Sequence, residues 1–105
     1  MISPPDEEHG QAFRLTEADL HPHLQKRMAQ RGVTLEEIEQ TLNEGWPAVD
    51  ARPGTLGRVK VFPYAAEWEG ELYPEKQVIV YYKQTNEGII LLTAIARYGQ
   101  EFPRG

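Results

Sequence analysis

The spacing of apolar residues changes near Gly45, and that change sets the fold class. Upstream, Leu20, Leu24 and Met28 recur every four residues, and Leu35, Ile38 and Leu42 recur every three or four. Such periods belong to amphipathic helices. Downstream, "GRVKVFPY" alternates Arg58, Lys60 and Phe62 with Val59 and Val61, and "QVIVYYK" and "GIILLTAIARY" are rich in β-branched and aromatic residues. Those are strand signals. Helices first and strands afterwards predict an α+β domain, with two N-terminal helices on one face of a three- to four-stranded antiparallel sheet.

Local signals place the boundaries. Thr16 can cap a short turn over 16–20, and Pro22 belongs in the first turn of the helix that follows. Gly32 is a left-handed terminator, with Val33 folding back on the last turn. Thr34 and Glu37 then form a capping box, and Val33 and Ile38 form a hydrophobic staple. "RGVT" is therefore a tight corner between two helices, the second ending at Gly45. "WPAVDAR" reads as a short edge strand, "QTNEG" as a hairpin loop, and the stretch around Glu69 and Gly70 as a loop or a second, ragged hairpin.

A chain of 105 residues supports one core, so the reading is a flexible tail over 1–14 and one domain over 15–105. It contains no cysteine, which removes disulfides and thiolate chemistry and fits a cytoplasmic location. No apolar run is long enough to span a bilayer, so no membrane association is expected. The formal net charge is -5, which disfavours generic nucleic-acid affinity. The charge is segregated, however: bases collect between Lys26 and Arg31 and at Arg52, Arg58 and Lys60, so a local positive patch is compatible with an acidic chain.

The most suggestive constellation is His23, Arg27 and Arg31, spaced four apart on one helix stripe. Like charges at that spacing repel by about 0.2–0.5 kcal/mol per pair, so something must compensate. If the compensating group is a bound phosphate, the stripe supplies catalytic parts. His23 would transfer a proton, and the guanidinium groups of Arg27 and Arg31 would stabilise the charge of a phosphoryl transition state. Arg58 and Lys60, with Lys83 and Arg97, would extend a substrate-binding surface across neighbouring strands. The alternative is internal compensation, with Arg27 and Arg31 paired to Glu36, Glu37 or Glu39. Of Tyr81 and Tyr82, one is expected in the core and the other at a surface, and Trp46 and Trp68 are expected to be packing anchors. His9, His21 and His23 lack metal-ligand spacing, and no nucleotide or hydrolase motif is present, so neither metal nor cofactor is expected.

One strand carries a further implication. Over 89–95, Ile89, Leu91 and Ile95 are expected on one face and Ile90, Leu92 and Ala94 on the other, so both faces are apolar. Two short helices cover one face, leaving the other for self-association or a protein partner.

The stretch "HLQKRMAQRGVTLEEIEQTL", with the later "IILLTAIARY" and its Thr93, resembles a small bacterial domain family related to the BrnT toxins and, more distantly, to the RelE/ParE toxin superfamily. The resemblance spans 20–98. It implies a helix–helix–sheet fold, a metal-independent endoribonuclease of a toxin–antitoxin pair, messenger RNA as substrate and an antitoxin as partner. His23, Arg27, Arg31 and Thr93 match the family's motif positions. The acidic charge departs from that pattern, and a non-catalytic interaction or dimerisation module of the same fold is the alternative.

Overall fold

The structure, a computed structural model, describes residues 13–105; residues 1–12 of the expected tail lie outside the described residues. A 3₁₀ turn over Glu17–Asp19 leads into helix α1 (Pro22–Arg31) and helix α2 (Leu35–Glu44). Strands β1 (Trp46–Pro47), β2 (Leu56–Trp68), β3 (Glu71–Thr85) and β4 (Gly88–Gly99) follow and form an antiparallel sheet in the order β1-β2-β3-β4. The fold is α+β: α1 lies over β4, and α2 lies over β2 and β3.

The corner between the helices forms as its residues dictate. Gly32 adopts φ 72°, and the Val33 amide donates to the Met28 carbonyl at 2.9 Å. Glu37 N–H donates to Thr34 Oγ1 at 3.1 Å, and Glu37 Oε1 accepts Thr34 N–H at 2.9 Å. Each such cap contributes about 1 kcal/mol. α1 starts at Pro22 but is capped by His21, whose Nδ1 accepts the Leu24 amide at 3.1 Å. Phe13 belongs to the domain rather than to a free tail: the Asn43 side chain clasps its N–H and carbonyl at 2.8 and 3.0 Å.

Leu24, Met28, Ile38 and Leu42 meet Val78, Val80, Ile89, Leu91 and Ala94 in the main core. In β4 the alternation is broken. Tyr81 pairs with Thr93 and Tyr82 with Leu91, leaving Leu92 as the extra residue of a β-bulge. The bulge corrects the expected face assignment. Ile89 and Leu91 point to the helices together with Ala94, whereas Ile95 shares the opposite face with Ile90, so the three residues named as one docking face are split between two.

That opposite face is partly covered by the chain itself. Val59, Val61 and Ile79 are buried there. Ala48, in the loop over 48–55, donates its amide to the Gly57 carbonyl at 2.9 Å. Gly57 permits this approach, because a Cβ there would stand 2.7 Å from the Ala48 Cβ and 3.1 Å from the Tyr81 ring. At the other end, the Phe102 amide donates to Glu75 Oε1 at 3.1 Å, and Arg104 pairs with the same carboxylate at 2.5 Å. These contacts hold the Glu75 carboxyl below its usual range, the Phe102 amide first and Arg104 second.

Candidate functional site

The expected cationic ridge is divided. His23 and Arg27 lie on the solvent face of α1 and make no hydrogen bond or ion pair among the described residues. The His23 ring stacks on His21, with centroids 6.2 Å apart, because His21 sits outside the helix instead of diverging on it. Among the described residues no group of three or more His, Cys, Asp or Glu could hold a metal ion.

Arg31 turns inward. Its Nη1 donates to the Ala94 carbonyl at 2.8 Å and to Thr93 Oγ1 at 3.2 Å. A carbonyl and a hydroxyl at the bulge of β4, and no glutamate among the described residues, therefore accept from this guanidinium. Of the glutamates expected as internal partners, Glu37 and Glu39 are used otherwise. Glu37 caps α2 and pairs with Lys76, and Glu39 accepts the Leu15 amide at 2.7 Å.

The four sheet cations do not form one surface. Arg58 and Lys60 project on the helix side, where both serve the end of α2. Arg58 Nη1 donates to the Gly45 carbonyl at 3.0 Å, and Lys60 Nζ stands 3.5 Å from Glu44 and over the Phe62 ring. The last turn of α2 has no basic residue of its own, so these strand side chains complement its negative end. Lys83 and Arg97 project on the opposite face, as their strand register requires.

Sequence reasoning missed a second constellation. Lys76 is only 3 % exposed, and its ammonium bonds Glu37 Oε1 at 2.8 Å and the Gly32 carbonyl. The Tyr64 and Tyr98 rings lie 5.6 and 5.5 Å from it. Tyr98 in turn stacks on Trp68 at 4.7 Å and donates its hydroxyl to the Arg31 carbonyl at 2.8 Å. Burial first, then Tyr64 and the carboxylates of Glu37 and Glu69, push Tyr98 up to about 12. The cluster fixes the helix corner to the sheet and leaves the ammonium no exposed face for a substrate. The available signal was the two-residue spacing of Lys76, Val78, Val80 and Tyr82, which puts the lysine on the buried face.

The two tyrosines separate as expected. Tyr82 packs against the core, and Tyr81 points to the other side, where its hydroxyl donates to Asp50 Oδ1 at 2.9 Å. Burial first, then the Asp50 hydrogen bond and charge, raise Tyr81 above its ordinary value, while Arg97 acts in the other direction. Tyr81 and Asp50 line an open cleft of about 500 Å³ together with Arg52, Thr55, Leu92, Thr93 and Ile95. A smaller hollow of about 230 Å³ follows Ile89, Ile90 and Leu91 beside Asp19 and His21.

No protein-family model, curated protein or solved structure matches the chain. The likeness to toxin families rests on the helix and strand motifs alone. Among the described residues no helix is long and apolar enough to cross a membrane.

Proposed function

We propose that this chain is a non-catalytic protein-interaction module that pairs with a second copy of itself along the outer edge of β4. One observation carries the reading. β4 has twelve residues, pairs among the described residues only with β3, and has neither a charged residue nor a proline over 88–96. Unpaired strands are normally guarded by charge, proline, bulges or brevity. The outer edge of β2 has such guards in β1, in Pro63 and in the irregular pairing around Ala65. On β4 the guards are the Leu92 bulge and Arg31, which occupies the Ala94 carbonyl. Ile90 and Leu92 remain 39 % and 37 % exposed beside the open edge.

A symmetric antiparallel pair suits this composition. Each copy presents the same patch, and over 88–92 the strand carries no charged residue, so pairing there puts no like strand charges opposite one another in two chains of net charge -5. Light scattering over a concentration series tests the reading: the mass should rise to that of a dimer, and Ile90→Lys should return it to monomer with the melting temperature of wild type diluted to its monomeric range. A monomeric mass up to several hundred micromolar would overturn it.

The competing ribonuclease reading requires His23, Arg27 and Arg31 to meet cations of the sheet at one phosphate, and their placement on separate surfaces weighs against it. RNA incubated with the protein should stay intact; cleavage that disappears in His23→Ala would replace the docking reading with the catalytic one.

A further inference from the structure

The cleft on the sheet face away from the helices has the makings of a small-molecule site; it shares Leu92 with the proposed β4 edge patch but does not require pairing there. Its volume, about 500 Å³, lies within the range of ligand pockets, roughly 300–1,000 Å³. Leu92 and Ile95 give it an apolar floor, and Ile95 joins Leu92 on this face because the bulge shifts the alternation after Leu92. The charged groups are not exhausted by internal contacts. Arg52 lines the cleft, and its guanidinium has no hydrogen bond or ion pair among the described residues. Arg97, on the same face, is close enough to act on the Tyr81 hydroxyl. The one acid, Asp50, already accepts the Tyr81 hydroxyl at 2.9 Å. Thr93 Oγ1 accepts from Arg31, which leaves the threonine hydroxyl proton free to be donated.

We infer that this cleft binds a small apolar molecule bearing a single carboxylate, its tail on Leu92 and Ile95 and its charge on Arg52. Asp50 is already engaged by the Tyr81 hydroxyl, so Arg52 is the lining charge left for a ligand, and a guanidinium grips a carboxylate with two parallel hydrogen bonds. A cation of the same shape would meet Arg52 as a like charge, and a neutral one would leave Arg52 without a new partner.

Amide NMR on the full chain, titrated with octanoate and with octanol and octylamine as length-matched controls, tests this. Octanoate should give saturable shifts at Tyr81, Thr93 and Ile95, with a Kd on the order of 1 mM for a ligand of its size. Octanol and octylamine should bind at least about fivefold more weakly, and Arg52→Gln should weaken octanoate by a similar factor while Arg27→Gln leaves it unchanged. Equal binding of octanol and octanoate, an unaffected Arg52→Gln, or shifts away from the cleft would overturn the inference. The comparison of carboxylate with alcohol needs no variant, so it decides the question even if a substitution disturbs the loop.

Discussion

Neutralising Glu37 while keeping its shape should cost this domain more than removing the lysine it serves. In Glu37→Gln the side-chain carbonyl can still accept the Thr34 amide, so the capping box survives, but the Lys76 ammonium loses its only carboxylate among the described residues, at a site where its side chain is 4 % exposed. Leaving a buried charge without its counter-charge costs about 3–5 kcal/mol. Because the glutamine carbonyl and the Gly32 carbonyl remain as acceptors, the lower bound applies, about 3 kcal/mol. Lys76→Met keeps a stem to pack between Tyr64 and Tyr98. It strands only a carboxylate that still accepts the Thr34 amide and whose side chain is 19 % exposed, so its cost should be about 1 kcal/mol. Once the methionine is present no ammonium needs a partner, so the double variant should cost little more than Lys76→Met alone. Urea unfolding of the four proteins measures this. With an m-value of about 1 kcal/mol/M the midpoint should fall by roughly 3 M in Glu37→Gln and by roughly 1 M in Lys76→Met. Equal, additive losses in the two single variants would refute the reasoning, because they would mean that the carboxylate does not carry the buried charge.

The helix corner and the strand edge give further expectations. Gly32→Ala combines a positive φ with a Cβ 2.6 Å from Trp68 Cζ3 and from the Tyr98 hydroxyl, so it should cost about 3 kcal/mol, read as a drop in urea midpoint. Arg31→Met leaves the Ala94 carbonyl without its donor and should cost about 1.5–3 kcal/mol, whereas Arg27→Met should stay within about 0.5 kcal/mol in the same assay. Tyr98 holds its proton to about 12 in the folded chain, against an ordinary value of 10.0. The raised value makes its contribution complete below the ordinary value and lost as pH climbs from there through about 12. Wild type should therefore lose more stability than Tyr98→Phe between pH 10 and 12, and equal losses would contradict the assignment.

The helical half of the fold was legible because its signals are local. A glycine terminator at Gly32 and a capping box of Thr34 and Glu37 each act over a few residues, and both are present as expected, with Val33 and Ile38 buried in the core. The sheet was less legible because its facing depends on pairing. A strict two-residue alternation assigns Ile89, Leu91 and Ile95 to one face, and a single extra residue at Leu92 moves Ile95 to the other. β3 reaches back to Glu71, well before the apolar run, because Glu69 and Gly70 adopt positive φ and turn the chain tightly enough to pair "ELYPE" with β2. The basic residues were the hardest to place. Arg31, Arg58, Lys60 and Lys76 find carbonyls, carboxylates and rings from distant elements, at sequence separations that no local pattern encodes.

Hydrogen exchange at the β4 amides that point away from β3, followed at low and high protein concentration, tests the proposed pairing most directly. Protection over 88–92 should rise with concentration in parallel with the dimeric mass, while the β3 amides in the sheet interior stay unchanged. Protection that is identical at every concentration, in a chain that remains monomeric, would contradict pairing at that edge.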